Sequence, residues 1–196
     1  MQHHPSRPSD EETVRRIIGG DVNSFEYLLK KYQDHVLRIV KKHIPYNEVE
    51  DTTQDVFVRA YQALPGFKEE GSFRQWLSAI TVRTCYDFWR KRYRSRELPM
   101  SDLTDSHREW LDKTLSNQSD QSFHEKSQEK EARELLDWVL SKLSAKDRMV
   151  LELVYLEGLS GREAAELLGL SISNVKVRSF RSRKKLEKIL TALIST

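Results

Sequence analysis

The residues from 50 to 55 of this 196-residue chain could carry out binding chemistry, because they place acidic and amide groups on one helical face. Asp51, Gln54 and Asp55 recur at helical spacing, opposite an apolar stripe. Such a face can bind a basic protein surface, hold a cation or simply be solvated. A metal is disfavoured, because no histidine lies nearby at helical spacing and one helix face offers few oxygen ligands. We therefore expect a binding surface here, with no catalytic residue, no metal and no cofactor.

Residues 163–176 have the pattern of a helix-turn-helix motif. Ala165 lets two helices approach closely and Gly169 can adopt the positive φ of a tight turn, while Ile172 and Val175 are expected to pin the second helix to the first. The outer side chains of that second helix can contact base edges or hold phosphates. They are Ser173, Asn174, Lys176, Arg178, Arg181 and Arg183. The alternative is a helical hairpin that packs against protein.

Aromatic and basic residues alternate between Phe73 and Tyr93. Aromatic planes combined with cations suit unpaired bases and backbone phosphates. The alternative is that the aromatic side chains are core, which the helical period favours for Trp76.

Charge along the chain supports contact with a polyanion at two places. The formal net charge is only +3, but it is the sum of regions with opposite sign. Residues 83–96 carry a net +5 and residues 174–188 a net +6, whereas residues 97–131 carry −5. Two basic patches joined by an acidic tether indicate a nucleic-acid partner. The single cysteine, Cys85, excludes an internal disulfide and fits a reducing compartment, and no apolar stretch approaches a membrane span.

The elements that position these residues are predicted to be helices. Apolar residues recur at three- and four-residue steps, no strand-like alternation occurs, and the chain has only 7 Gly and 5 Pro. Five pairs predict helix starts: Ser9 with Glu12, Asn47 with Glu50, Ser72 with Gln75, Ser144 with Asp147, and Ser160 with Glu163. We expect an all-α fold with a first domain over 10–96, a flexible acidic linker over 97–130 and a second domain over 131–196, which contains the helix-turn-helix.

Three blocks of sequence resemble the bacterial RNA polymerase sigma factors of the extracytoplasmic-function (ECF) group. The first is Glu50-Asp51-x-x-Gln54-Asp55 and the apolar run that follows it, and the second extends from Phe67 to Ile80. The third extends from Glu157 to Arg183. The blocks occur in family order and at family spacing, and the resemblance covers nearly the whole chain. The absence of the middle domain of larger sigma factors is what marks the ECF group.

The resemblance implies roles for the first domain. Asp51, Gln54 and Asp55 would dock on the clamp helices of core RNA polymerase. The loop before the third helix would capture a base flipped from the minus-ten element, and the basic helix after it would contact the promoter strand. The implied minus-ten residues are Phe67, Lys68, Ser72, Arg74, Arg83, Arg90 and Arg92. Arg83 stands where family members usually carry Asn, so no base identity is carried over.

For the second domain, the resemblance implies recognition of the minus-thirty-five element and contact with the polymerase flap. The linker would follow the RNA channel, which its negative charge suits. ECF members are commonly held inactive by an anti-sigma partner, often membrane-anchored. The expected protein is thus cytoplasmic, has no membrane span of its own, and can be held at the membrane by such a partner.

Two other classes of function remain to be weighed. A stand-alone helix-turn-helix regulator that binds duplex DNA without polymerase would explain the second domain, but it leaves the acidic face and the aromatic-basic helix unexplained. An enzyme acting on nucleic acid through the acidic cluster lacks a histidine or metal constellation. The leading hypothesis is a promoter-specificity subunit that has no catalysis of its own.

Overall fold

The computed structural model describes residues 8–68, 71–94 and 134–194, and every regular element within these ranges is helical. The chain divides into two compact units, Met1–Phe88 and Trp89–Thr196. The expected linker over 97–130 lies outside the described residues.

The first unit is built from four helices. They are α1 (Asp10–Ile18), α2 (Phe25–His43), α3 (Val49–Ala63) and the larger part of α4 (Phe73–Arg94), which continues into the second unit. Short 3-10 turns at Val22–Ser24, Tyr46–Glu48 and Leu64–Gly66 connect them. Leu28, Val36, Val56 and Leu77 are at most 1% exposed and form the centre of the core. Burial of this apolar surface holds the helices together.

Polar contacts fix the helices of the first unit relative to one another. The Asp10 carboxylate accepts hydrogen bonds of 2.6 Å from the Tyr32 hydroxyl and the Lys31 ammonium group, which joins α1 to α2. The Arg59 guanidinium donates to Asp55 at 3.1 Å and to Asp87 at 2.8 Å, which joins α3 to α4. These two carboxylates, Asp87 foremost, raise the pKa of Arg59 above its usual value, so the bridge stays charged.

The second unit contains a helix over 134–141, called α5, then α6 (Ala145–Leu151), α7 (Gly161–Leu168) and α8 (Ile172–Ile194). The helical path of α6 continues as a π-helical segment over Glu152–Leu156. Leu186 of α8 packs on two groups of buried side chains, one containing Leu135 and Val139 and the other Leu140, Leu143 and Leu151.

The helix-turn-helix is formed by α7 and α8. Ser160 and Glu163 form the predicted capping box, with the Glu163 carboxylate accepting from the Ser160 amide at 2.8 Å. Gly169 adopts φ of +63°, and the amide of the next residue donates to the Ala165 carbonyl at 2.8 Å, which is the Schellman closure of a helix end. Ala165 is 4% exposed and Val175 1%, so both make the predicted close approach.

Two local predictions are wrong. Asn47 and Glu50 form no capping box; α3 begins at Val49, and the Asn47 amide donates to the Glu48 carboxylate instead. Ile172 does not pin α8, because its side chain is 42% exposed, and the buried face continues through Ser179 and Ser182. Trp76 is half-buried and packs against the rings of Phe67 and Phe73, which supports its assignment to the apolar interior.

Candidate functional site

The predicted acidic face lies on the exposed side of α3. Asp51 and Gln54 are exposed, and Asp55 is half-buried because Arg59, one helical turn later, binds its carboxylate. Negative charge is therefore distributed unevenly over this face. Asp51, on the first turn, has no ion-pair partner among the described residues, whereas Asp55 is partly neutralised by Arg59. A basic partner would meet the strongest negative potential at the Asp51 end.

A groove between α2 and α3 borders this face, and the sequence interpretation missed it. Its volume is about 1260 Å³, and it is lined on the α3 side by Glu50, Gln54 and Val58. Val58 is 53% exposed and Tyr46, at the groove's end, is 92% exposed. An acidic rim beside exposed apolar side chains is compatible with a protein-docking surface.

The signal for the groove was present in α2. Its apolar positions divide into two stripes, a buried one that includes Leu28 and Val36 and a half-buried one containing Phe25, Leu29 and Leu37 that lines the groove. A single core-facing stripe needs an arc of little more than 100°. An apolar arc this wide indicates that a helix has a second apolar partner.

An aromatic cluster supports the loop that precedes α4. Phe67 lies 5.5 Å from Phe73 and 5.2 Å from Trp76 between ring centroids, both in edge-to-face arrangement. Phe73 is 2% exposed, whereas Phe67 is half-buried and Lys68 and Ser72 are exposed. The cluster fixes the two ends of a loop whose residues 69–70 lie outside the described ranges.

The predicted minus-ten residues of α4 extend along that helix. Arg74, Arg83 and Arg90 are exposed, and Arg92 is half-buried with its guanidinium 5.9 Å from the Trp89 ring centroid. Trp89 itself is 3% exposed, so its ring offers no open face for a base in this structure. The helix thus presents cations, while its aromatic side chains are packed.

His35 links the site to the core of the first unit. The Ser78 hydroxyl donates to the Arg74 carbonyl at 2.8 Å, so its oxygen accepts from His35 Nε2 at 2.8 Å. This arrangement leaves Nδ1 as the bare ring nitrogen, and Nδ1 is buried without a hydrogen-bond partner among the described residues. Burial, followed by the charges of Arg74 and Arg38, lowers the pKa of His35 below its usual value of 6.5.

Acid is therefore expected to destabilise the first unit through His35. The folded state binds a proton at His35 less tightly than the unfolded chain does. The free energy of unfolding is therefore highest above pH 6.5, the usual pKa of histidine, and decreases as the pH falls below that value toward the lower pKa of folded His35. Thermal unfolding from about pH 7.5 to pH 5 measures the effect. His35→Gln keeps a donor for Ser78 and should flatten the pH dependence. An unchanged slope in that variant would contradict the assignment.

The predicted minus-thirty-five residues lie on α8. Ser173, Asn174, Lys176, Arg181 and Arg183 are all exposed. Their spacing places them on the outside of the helix, away from buried Val175, and they form a polar and cationic surface wide enough for a duplex groove.

Two of the α8 arginines have intramolecular partners. Arg178 donates to the Asn174 side chain at 2.7 Å and to Asp147 of α6 at 2.6 Å. Arg183 donates to the Tyr155 hydroxyl at 3.3 Å, and this contact raises the pKa of Arg183. The structure therefore brings Arg178 and Arg183 toward the flanks of the helix, whereas Arg181 and Lys184 are exposed cations on the outer side.

Neither a metal-binding cluster nor a membrane-spanning helix occurs within the described ranges. No group of three or more His, Cys, Asp or Glu side chains there could hold a metal ion. None of the helices in the same ranges is both long enough and apolar enough to cross a bilayer.

Comparison with family models gives two matches in the order of the two units. Residues 28–95 match the model for Sigma-70 region 2, and residues 133–186 match the model for Sigma-70, region 4. The first match spans the acidic face, the aromatic cluster and the basic helix, and the second spans the helix-turn-helix.

Curated relatives match over almost their whole length. The ECF RNA polymerase sigma-E factor of Escherichia coli K12 is 29% identical over 191 residues, covering 95% of this chain and 96% of that protein. The RNA polymerase sigma-H factor of Pseudomonas aeruginosa is 27% identical over 190 residues, covering 96% of this chain and 97% of that protein.

Solved structures share the fold. CnrH, solved in complex with the cytosolic domain of CnrY, is 27% identical with a TM-score of 0.55, over 93% of this chain and 97% of that one. The sigma factor RpoE of Bartonella quintana, in complex with the anti-sigma factor NepR, has a TM-score of 0.51 at 22% identity, over 85% of this chain and 96% of that one. Both sigma-70 regions, the full-length relatives and the shared fold agree, and this chain belongs to the ECF group of the sigma-70 family of RNA polymerase sigma factors.

Proposed function

We propose that this sigma factor docks on the clamp helices of core RNA polymerase through Asp51, Gln54 and Asp55. The observation that carries the proposal is the acidic face of α3 beside the open groove, because acidic and apolar side chains exposed together suit a basic, amphipathic partner. As a subunit of polymerase it has no catalysis of its own and acts in the cytoplasm. The domain division we propose is 10–96, 97–130 and 131–196.

The first domain is proposed to hold the melted minus-ten strand. Phe67, Lys68, Ser72 and Arg74 surround the loop before α4, and Arg83, Arg90 and Arg92 extend along the helix. Holding an extruded base must offset an unstacking cost of a few kcal/mol, which stacking at about 1–3 kcal/mol per base can do. The backbone phosphates of the same strand would meet the arginines.

The second domain is proposed to recognise the minus-thirty-five duplex through α8 and to contact the polymerase flap. Its residues are Ser173, Asn174, Lys176, Arg178, Arg181 and Arg183. Recruitment through this element and through the clamp supplies binding energy that is coupled to melting of the minus-ten region.

We further propose that an anti-sigma factor regulates the chain. CnrH, at 27% identity, was solved in complex with the cytosolic domain of CnrY. In this chain, the groove between α2 and α3 adjoins the proposed docking face, because both include Gln54. A regulator that fills the groove would exclude polymerase by occupying the same surface.

Transcription with purified core polymerase tests the proposal. We expect promoter-specific transcripts only when the chain and core are both present. Absence of transcription with core, combined with tight binding of the isolated chain to a duplex, would instead support a stand-alone helix-turn-helix regulator. That second candidate rests on the exposed cations of α8 alone.

Arg181→Ala is expected to weaken binding of the minus-thirty-five duplex by about 1–3 kcal/mol if the guanidinium contacts a base, with relaxed specificity at one position. If it contacts a phosphate, affinity should fall evenly across sequences and the salt slope should decrease by about one. Affinity of the holoenzyme for duplexes at several salt concentrations measures both. Arg16→Ala removes the same charge from exposed α1 and serves as the control. Equal losses in the two variants would contradict a direct role.

A further inference from the structure

The outer face of α8 has an apolar residue at its centre. The buried side of the helix contains Val175, Ser179 and Ser182. At 100° per residue, Val177 lies directly opposite this side, and its side chain is 48% exposed. The residues three and four positions away on the same face are Ser173, Asn174, Phe180 and Arg181.

The neighbouring polar groups leave the middle of the face to Val177 and to Phe180, which is 59% exposed. Arg178 is drawn to one flank, where its guanidinium bonds both Asn174 and Asp147. Arg183 is drawn to the other flank by Tyr155. Asn174, Val177, Arg178 and Arg181 line one shallow hollow of about 490 Å³. Asp147, Ser171 and Ser173 line the same hollow, so a group that enters it meets polar side chains and the two methyl groups of Val177.

An exposed valine in this position adds nothing to the core of the second unit, since its side chain faces away from it. It cannot hydrogen-bond to a base. In the major groove, the C5 methyl group of thymine is the one apolar group that a base pair presents, and apolar side chains recognise it by contact. Such a contact removes about one methyl group from water on each side.

We propose that Val177 is a specificity-determining residue that selects a thymine in the minus-thirty-five element by packing against its C5 methyl group. This inference rests on the proposed function, because it requires that the outer face of α8 enters the major groove. It goes beyond that function in two ways. It assigns a base to Val177, which the sequence did not suggest as a DNA contact, and it attributes the selection of that base to an apolar contact rather than to an arginine.

Replacement of thymine by uracil tests the contact, because it deletes the methyl group and leaves every hydrogen-bonding group in place. Holoenzyme assembled from core polymerase and the full chain first selects minus-thirty-five sequences from a randomised duplex library. Each selected thymine is then replaced in turn by uracil. We expect one position at which the holoenzyme loses about fourfold in affinity, the value that corresponds to burial of one methyl group at about 0.8 kcal/mol.

Val177→Ser completes the test. With this variant, thymine and uracil should bind equally at that position, and sensitivity at other positions should not change. The matched control is Ile172→Ser, an exposed apolar residue of the same helix that is 42% exposed but lies toward the buried side. The control should keep the fourfold difference. Half-exposed Val177 can be replaced with little effect on folding, and the uracil experiment with the unaltered chain needs no variant.

Three outcomes would overturn the inference: no thymine among the selected positions, no effect of uracil at any of them, or the same effect in Val177→Ser as in the unaltered chain. Failure of the proposed function has a different signature, because the holoenzyme would then select no minus-thirty-five sequence at all. The two failures are therefore distinguished in the first step of the experiment.

Discussion

Replacement of Asp51 by arginine is expected to weaken binding to core polymerase by about 100-fold and to abolish promoter-directed transcription at limiting protein, because like charges brought together at an interface cost several kcal/mol. Asp51 is one of two exposed carboxylates on the first turn of α3, beside Glu50, and no basic side chain of its own helix neutralises it as Arg59 neutralises Asp55. Reversal of its charge therefore alters the most negative part of the docking face.

The loss should be confined to one of the two binding activities. Arginine on the first turn of a helix opposes the helix dipole, which costs about 0.3–1 kcal/mol, so the first unit should remain folded. Capture of the variant on immobilised core polymerase measures docking, and binding of a minus-thirty-five duplex by the second domain should be unaltered. Asp34→Arg introduces the same charge at an exposed position of α2 that does not line the groove, and it should bind core normally.

Equal loss of core binding and of duplex binding by Asp51→Arg would argue against the division of labour between the units. Equal weakening by Asp34→Arg and Asp51→Arg would show that total charge, rather than the acidic face, determines docking. Core binding measured at about 0.1–0.15 M salt separates an effect of total charge from a direct contact. A long-range effect of charge is screened over about 8–10 Å at this ionic strength, whereas a direct contact at Asp51 is screened less.

Much of this fold could be predicted from sequence because its helix ends are chemically specified. Ser9, Ser144 and Ser160 each accept a hydrogen bond from the amide three residues later, as their spacing predicts. Gly169 supplies the left-handed residue of the turn. These signals are local, and a side chain that satisfies a helix end does so within a few residues.

The errors arose where the local backbone path or tertiary packing decides. Asn47 has the right spacing for a cap, but it lies within the 3-10 turn Tyr46–Glu48, and α3 begins only at Val49. Ile172 has the right polarity for the helix interface, yet it is 42% exposed whereas Ser179 and Ser182 are buried. Periodicity in the sequence indicates which residues share one face of a helix. It does not indicate how closely that face packs against the adjacent helix.

For the candidate site, the structure tests only whether the predicted residues are exposed, and their binding roles stay predictions. Asp51, Gln54 and Arg181 are exposed, as an interface requires. Val58 and Val177 were not assigned to a binding surface, because one or two exposed apolar residues on a polar helix face give no sustained periodic signal. Only the structure distinguishes an isolated exposed valine from one that lies at the centre of a surface.

A buried ion-pair network in the second unit supports the second large expected effect. Arg148 is 3% exposed and Glu152 2%, and they are joined by a hydrogen bond of 2.7 Å, while Asp137 binds the guanidinium from α5. The carboxylates of Glu152 and Asp137 outweigh desolvation, so the pKa of Arg148 is raised and the charge persists despite burial. This network joins α5 and α6, and α6 packs on the helix that carries the proposed DNA contacts.

Arg148→Met should destabilise the second unit by about 3–5 kcal/mol, because it removes the guanidinium that neutralises a buried carboxylate. Hydrogen exchange of the amides in Ala145–Leu151, followed in the full chain, reports this local free energy without assuming that the two units unfold together. Duplex binding should fall in parallel and core docking through Asp51 should remain. Arg162→Met, an exposed arginine of α7, should change exchange by less than about 0.5 kcal/mol.

The double replacement of Arg148 and Glu152 by methionine determines what the network contributes. Removal of both charges leaves no buried ion to desolvate, and buried pairs replaced by apolar side chains are often neutral or stabilising. The double variant should therefore regain most of the stability that Arg148→Met loses, with only half-exposed Asp137 left to solvent. A double variant as unstable as the single one would show that Arg148 stabilises the unit through its packing and not by compensating the charge of Glu152. Recovery of stability with duplex binding still impaired would show that the ion pairs orient α8 for DNA rather than hold the fold together.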